Sequence, residues 1–176
     1  FALGAMQYLT VGFDTRTETM ENTGLAGGKD DADFRALYIQ DEIALGAELT
    51  LTLGFRRDRH SIFGAESSPR AYLVWHATDA WTLRGGYGEG FRAPTLKQAS
   101  SSYEGAEGPH TFYGNSDIRP ETSKSWEFGF VYAKGAVDWE VTAFRDSVTD
   151  LITALETRRL GPRSFYIYDN INDALI

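Results

Sequence analysis

The amino-acid sequence predicts an all-β fold of about eight antiparallel strands, on three observations. Apolar and polar side chains alternate with a two-residue period through most of the 176 residues, as in strands with one apolar face. Short connections alternate with long ones along the chain. No apolar run approaches the roughly 18 residues that a membrane-spanning helix needs, so a helical membrane protein is excluded.

The strand pattern is clearest at residues 49–56. Leu49, Leu51 and Leu53 alternate there with Thr50 and Thr52. The same alternation predicts strands at residues 8–14, 70–76, 81–87, 126–132 and 137–142. A returning strand near residues 168–171 is expected from the resemblance described below. Each candidate is close to the about 9–11 residues that a tilted strand needs to cross a bilayer.

The segment at residues 37–43 fits this alternation less well. Asp41 falls on the face that carries Leu37, Ile39 and Ile43, so we expect it at a membrane interface rather than at mid-membrane. Residues 33–45 are also the only serious candidate for a helix.

The connections show a second asymmetry. Short turns are predicted at residues 46–47, 78–80 and 134–136, and long connections at residues 17–33, 59–68, 96–123 and 149–163. This alternation is typical of bacterial outer-membrane barrels, which have short periplasmic turns and longer extracellular loops.

The alternation by itself is compatible with two architectures. In a wide barrel the charged face would line a wet lumen, and in a soluble sandwich it would face solvent. This face includes Arg70, Arg84, Glu127 and Glu140. The tryptophans fit either the aromatic girdle of a membrane barrel or a sandwich core. They are Trp75, Trp81, Trp126 and Trp139.

Composition and spacing exclude several functions. The net charge of −8 is dispersed and leaves no basic stripe, so we expect no nucleic-acid partner. The absence of cysteine removes thiolate metal sites, and the three histidines lack metal-ligand spacing. Asp138 and Glu140 share a strand face, but no nucleophile, metal cluster or phosphate loop accompanies them. We therefore expect no metal site, no catalytic residue and no enzyme activity.

Two motifs and one hairpin carry a family resemblance. Residues 85–95 read GGYGEGFRAPT, residues 113–123 read YGNSDIRPETS, and residues 38–42 and 49–58 read YIQDE and LTLTLGFRRD. In this order they resemble the barrel of TonB-dependent outer-membrane receptors, the importers of iron chelates in Gram-negative bacteria. The resemblance covers nearly the whole chain, and it looks most like the colicin I receptor and catecholate-siderophore group.

The resemblance implies a transmembrane β-barrel of roughly 22 strands, filled by a plug domain. Residues 1–176 would then be a fragment of the barrel wall, and the plug domain, the TonB-contacting N-terminal region and the remaining strands would lie outside it. It also implies a location in the outer membrane, contact with its lipid and TonB-driven import of a small metal chelate. That ligand would be an iron–siderophore complex, with no covalently bound cofactor. A passive porin-like barrel and a soluble β-rich binding module stay as alternatives.

The longest connection carries the candidate ligand-binding residues. They are Tyr103, His110, Phe112, Tyr113 and Arg119. Aromatic rings can stack on a planar iron chelate, and an arginine can bond to its negative charge. The alternative is ordinary loop packing with a solvated arginine.

Three further residues are candidates for contact with a plug or the lumen: Arg84, Arg92 and Glu127. For Arg92 we favour a second interpretation, a structural hydrogen bond that pins the base of the long connection. The glycines of residues 85–90 are expected to relieve crowding inside the barrel.

Overall fold

The computed structural model describes residues 6–172 and 174–175. Eight strands form one antiparallel sheet in chain order: β1 Gln7–Glu21, β2 Lys29–Ala44, β3 Leu49–His60, β4 Gly64–His76, β5 Trp81–Arg92, β8 Glu121–Lys134, β9 Val137–Thr149 and β12 Ala174–Leu175. A smaller sheet contains β6 Glu104–Glu107, β7 His110–Tyr113, β10 Leu151–Leu160 and β11 Arg163–Ile171, and a single helical turn, α1, spans Leu96–Ala99. The predicted all-β class is confirmed. Within the described ranges, no helix has the length and apolar character that crossing a bilayer requires.

The large sheet is curved, and its concave side is polar. A cavity of about 460 Å³ is lined by side chains of five neighbouring strands, β1 to β5. Strands can share one cavity in this way only on a concave face, which we call the lumen side. The cavity lining includes Arg16, Phe34, Arg56, Ser68 and Arg92.

The convex side of the sheet is apolar and exposed. Phe13, Leu37 and Trp126 are 74%, 68% and 58% exposed. Near the short turns Trp81 contacts Tyr132 and Trp139, with ring centroids 5.0 and 5.3 Å apart. Apolar side chains that point away from the lumen, with an aromatic group at one edge, are typical of a barrel wall facing lipid.

Three of the four predicted long connections are wrong, because the strands continue through them. β1 and β2 extend until only residues 22–28 connect them, and residues 61–63 connect β3 to β4. Between β9 and β11, most of the predicted connection at residues 149–163 is the strand β10. Among the described residues, only the connection between β5 and β8 is long. The strands of the large sheet extend furthest at the end that carries this connection.

The predicted short turns are confirmed, and the helix candidate at residues 33–45 is wrong. That segment lies within β2, which pairs along its length with β1 and β3. Asp41 lies three residues before β2 ends, at the short-turn edge, where its Oδ2 accepts a hydrogen bond of 2.8 Å from Gln7 Nε2. This position at the edge of the sheet agrees with the expected place of Asp41, and its location at a membrane interface stays a prediction.

The smaller sheet extends the wall at the end of the large sheet that carries the long connection, which we call the upper end. Asp150, with a φ of 57°, separates β9 from β10, and β11 returns antiparallel to β10. β12 then completes the return by pairing with β9 in the large sheet. The β6–β7 hairpin joins this extension because β7 pairs in parallel with β11. Part of the long connection is therefore held by main-chain hydrogen bonds to the wall.

Candidate functional site

The long connection crosses the mouth of the lumen. It leaves β5, forms α1 behind a capping box between Thr95 and Gln98, and reaches the β1–β2 turn. There Glu104 N donates to Gly24 O at 3.1 Å, and Ala26 N donates to Ser102 Oγ at 3.3 Å. Because β1 lies four strands away from β5, this path covers the upper end of the concave face.

The ammonium group of Lys97 lies among aromatic rings where the long connection crosses the mouth of the lumen. Lys97 Nζ lies 5.8, 5.6 and 5.6 Å from the ring centroids of Tyr103, Phe112 and Tyr168. The Phe112 ring also stacks on Tyr166 at 4.9 Å. We call these five residues the mouth cluster. It combines one positive charge with flat apolar surfaces, a combination that suits an anion carrying aromatic groups.

Lys97 is held in its charged form. Its ammonium forms an ion pair with Glu107, and the hydrogen bond that it donates to Glu107 raises the pKa of Lys97 against the smaller, opposing effect of burial. An ammonium group has three donors, so the pair with one carboxylate leaves donors for a further partner.

The structure brings three of the five predicted ligand residues together. Tyr103 and Phe112 belong to the mouth cluster, and His110 lies next to it, with its ring 5.8 Å from that of Tyr166. His110 Nδ1 accepts a hydrogen bond of 3.2 Å from Ser164 N. Tyr113 follows Phe112 in β7 and therefore faces the opposite side of the small sheet.

Arg119 lies apart from these residues in a structural role. Its Nη2 donates to Asp150 Oδ1 at 2.5 Å, and its main chain exchanges hydrogen bonds of 2.7 and 2.9 Å with the Asn170 side chain. These bonds fasten the end of the long connection to the β9–β10 junction. Sequence reasoning missed Lys97, Tyr166 and Tyr168, whose proximity depends on the pairing of β7 with β11.

Arg84 and Glu127 meet on the lumen side of β5 and β8. Arg84 Nε lies 3.7 Å from Glu127 Oε1, and its Nη2 donates to Thr142 Oγ1 at 3.1 Å and contacts Glu140. Tyr72 OH donates to Glu127 Oε1 at 3.1 Å. We call this group the wall lattice.

Glycines make room for the wall lattice. A Cβ at Gly86 would overlap the Tyr72 ring, and one at Gly129 would lie 3.1 Å from both Arg84 Nε and Thr142 Oγ1. The expected relief of crowding therefore has a specific purpose at these two positions. It lets a large polar side chain lie flat across a neighbouring strand.

Arg92 makes the contacts of a structural pin. Its Nη1 donates to both carboxylate oxygens of Glu121 at 2.8 Å. Glu121 is only 7% exposed, and its Oε1 also accepts a hydrogen bond of 2.8 Å from Ile152 N. These bonds join the ends of β5, β8 and β10 below the long connection, as the favoured interpretation requires. Contact between Arg92 and a plug or ligand stays a prediction.

A further lumen cluster was not predicted as a site. Arg56 Nε lies 2.9 Å from Asp58 Oδ1 and Arg56 Nη2 lies 3.5 Å from Asp14 Oδ2. The Arg16 guanidinium lies 4.1 Å above the Phe34 ring. The signal in the sequence was the polar face of β1 and β3, where charges recur at every second position.

No group of three or more potential metal-ligating side chains is placed to hold a metal ion in the part of the chain that the structure describes.

Comparison with known proteins identifies relatives along the whole chain. The family model described as "TonB dependent receptor-like, beta-barrel" matches residues 3–176. The iron-regulated outer membrane virulence protein of Vibrio cholerae is 38% identical over 117 residues, which is 66% of this chain and 18% of that protein. The ferric enterobactin receptor PirA of Pseudomonas aeruginosa is 29% identical, over 84% of this chain and 24% of that protein. The chain thus spans about a fifth of the length of these relatives.

Solved structures agree with this result. The siderophore receptor PirA from Pseudomonas aeruginosa superposes with a TM-score of 0.89 at 27% identity, over 99% of this chain and 35% of that one. A ferric enterobactin receptor (PfeA) variant in complex with enterobactin superposes with a TM-score of 0.81 at 24% identity, over 99% of this chain and 30% of that one, and supports the fold alone.

Proposed function

This chain belongs to the TonB-dependent receptor β-barrel family, and from that premise we propose that its parent protein imports a ferric siderophore with energy supplied through TonB. The chain is a fragment of an outer-membrane barrel wall of a Gram-negative bacterium. Members of the family are receptors and transporters, so the chain is not an enzyme. The TonB complex would act through a region of the parent protein outside residues 1–176.

The mouth cluster is the observation that carries this proposal. Ferric chelates built from catechol groups combine flat rings with negative charge, and Lys97 with Phe112 and Tyr168 offers the complement of both. Relatives named for iron regulation and for ferric enterobactin support this class of ligand. A passive pore has no need of a charged aromatic site across its mouth.

The ligand would bind without displacing Glu107 completely. Glu107 occupies one direction of the Lys97 ammonium, and the remaining donors can bond to anionic oxygens of the chelate. Because the pKa of Lys97 is raised, we expect its contribution to affinity to be constant from pH 6 to pH 8, roughly the range in which only histidine titrates.

We assign the wall lattice to contact with the plug domain of the parent protein. Arg84 and Glu127 lie on the lumen side with part of their surfaces exposed, 30% and 41% of each side chain. A plug that presents polar groups could bond to these exposed parts without breaking the bonds within the lattice. Arg92, 55% exposed, has a free side facing the same lumen.

The proposal is tested with the complete parent protein in its outer membrane. Uptake of an iron-55 tris-catecholate chelate is measured with and without TonB, and equilibrium binding is measured for Phe112→Ala and its matched control Tyr113→Ala. Loss of the Phe112 ring should weaken binding by about 5–30-fold, since one aromatic contact contributes on the order of 1–2 kcal/mol. Tyr113→Ala should leave binding within about twofold, because its side chain faces away from the cluster.

Two results would contradict the proposal at different points. Uptake that is unchanged without TonB would indicate a passive barrel. Equal losses in Phe112→Ala and Tyr113→Ala would show that the long connection acts as a whole and that the mouth cluster is not the binding site.

A further inference from the structure

Three arginines form a patch on the convex face, high on β2 and β3. The register pairs Arg35 directly with Arg59, and Arg57 with Leu37. All three side chains are exposed and lie on the side away from the lumen. We call Arg35, Arg57 and Arg59 the outer arginine patch.

The outer arginine patch lacks carboxylate partners among the described residues. Arg57 Nη1 donates to Ser67 Oγ at 2.6 Å, and no ion pair is formed by Arg35 or Arg59 within residues 6–172. Asp33 is the next residue up this face of β2, but its Oδ1 accepts a hydrogen bond of 2.7 Å from Thr17. In a chain of net charge −8, three adjacent cations without acidic partners are a local exception.

Three lumen arginines show the opposite arrangement. Arg16, Arg56 and Arg84 each form an ion pair with at least one carboxylate. These three are therefore neutralised within the chain, whereas the described residues supply no carboxylate partner to the outer arginine patch. A negative partner from outside the chain would complete the patch.

The patch stands at the upper edge of the apolar band. Arg57 lies eight residues along β3 from Leu49, whose register partner is Trp75. At about 3.4 Å per residue and a tilt near 40°, this places Arg57 roughly 20 Å above the lower edge of a band about 25 Å tall. The Arg57 backbone thus lies roughly 5 Å below the upper edge of the band, and Arg59, two residues further along β3, lies at that edge. Long arginine side chains can extend from there to the lipid head groups on the side of the long connection, the outer leaflet.

A hollow below the arginines extends this site into the apolar band. It has a volume of about 480 Å³. The exposed side chains of Phe13 and Leu37 line one part of it, and the aliphatic parts of the three arginine side chains line the other. Thr15 of β1 pairs with Arg35 and adds a hydroxyl at the upper rim. The surface therefore has an anion-binding upper part and an apolar lower part in direct contact.

We propose that the outer arginine patch binds an outer-leaflet lipid through phosphate groups on its head, with an acyl chain lying against Phe13 and Leu37. Guanidinium groups bond to phosphate in pairs of parallel hydrogen bonds, and a head with two phosphates can engage more than one of the three. The occupant is a membrane lipid, because the hollow is continuous with the lipid-facing surface. The inference rests on the membrane position of the wall and is independent of the proposed import.

Lipid retention by the full-length protein tests this inference. The purified protein is incubated with diphosphoryl lipid A, the detergent is exchanged, and bound lipid is counted by native mass spectrometry. The variant Arg35→Gln/Arg57→Gln/Arg59→Gln is compared with a matched control, Arg158→Gln/Arg159→Gln/Arg163→Gln. The control removes three arginines from the β10–β11 hairpin beyond the apolar band.

The patch variant should retain about tenfold less diphosphoryl lipid A than the wild type, and the control should retain as much. Equal retention by the patch variant would overturn the inference, and so would complete displacement of the lipid by inorganic phosphate, which would indicate a site for free anions. If the triple variant does not fold, Arg35→Gln and Arg59→Gln are measured singly, and unchanged retention in both overturns it equally. TonB-dependent uptake is measured on the same variants, so that a failure of import is recognised separately.

Discussion

Replacing Glu121 with alanine should loosen the base of the long connection. This carboxylate is buried and bonds to Arg92 and to the main-chain N–H of Ile152, both at 2.8 Å. Ile152 is 8% exposed, so the substitution leaves its N–H buried without that acceptor.

The expected cost follows from these bonds. An unsatisfied buried N–H costs about 1–3 kcal/mol. The ion pair adds roughly 0–1 kcal/mol, because Arg92 is more than half exposed and water screens its charge. A local loss of about 2–3 kcal/mol would speed hydrogen exchange of the Ile152 amide by roughly 30–150-fold, if exchange proceeds through local opening.

Hydrogen exchange of the full-length protein measures this change directly. Glu121→Gln should give a smaller increase, because the amide oxygen can still accept from Ile152 N while the charge that pairs with Arg92 is lost. Glu104→Ala is the control, an exposed glutamate in the same connection. Unchanged exchange at Ile152 in Glu121→Ala would refute the pin, because the bond from Ile152 N to Glu121 Oε1 is then not what protects that amide.

Two further changes test the packing of the wall. Gly86→Ala places a methyl group into the Tyr72 ring and 3.2 Å from the Ala71 carbonyl oxygen, so it should reduce the free energy of unfolding by about 1–3 kcal/mol and lower the thermal unfolding temperature. Gly27→Ala is the control, because its new Cβ would make only an ordinary van der Waals contact. Equal unfolding temperatures for the two variants would contradict the predicted clash at Gly86. His60 is buried against Phe34 and Phe63, and burial lowers its pKa. Because the unfolded hairpin then takes up a proton more readily than the folded one, stability should fall as the pH drops below about 6.5. Limited proteolysis of the β3–β4 hairpin should therefore be faster at pH 5.5 than at pH 7.5, and His60→Asn, which keeps an acceptor for the Ile62 N–H, should remove the difference.

The apolar band made the wall predictable. Leu49 to Phe55 alternates strongly because one face meets lipid and the other meets the lumen. Above the band both faces of a strand meet water, and the contrast disappears, as in the polar run of residues 15–21. Strand extensions were therefore mistaken for loops, although they are paired as regularly as the rest.

The mouth cluster was only half predictable, for a different reason. Tyr103 and Phe112 were candidates because rings in a long connection suggest binding, but Lys97 gave no local signal. Its contact with Tyr168 depends on the parallel pairing of β7 with β11, a long-range pairing that no periodicity in either segment reveals. The tie between Arg119 and Asp150 depends on tertiary structure in the same way.

The parallel pairing of β7 with β11 also bears on how this wall can change over generations. Main-chain hydrogen bonds hold the hairpin in place whatever side chains it carries, so substitutions at His110, Phe112 and Tyr166 alter the surface and leave its position intact. Mutations can therefore change the side chains at the mouth of the lumen without disrupting the backbone structure that holds them. A small set of side chains on a fixed backbone can therefore change among related proteins while the barrel wall stays the same.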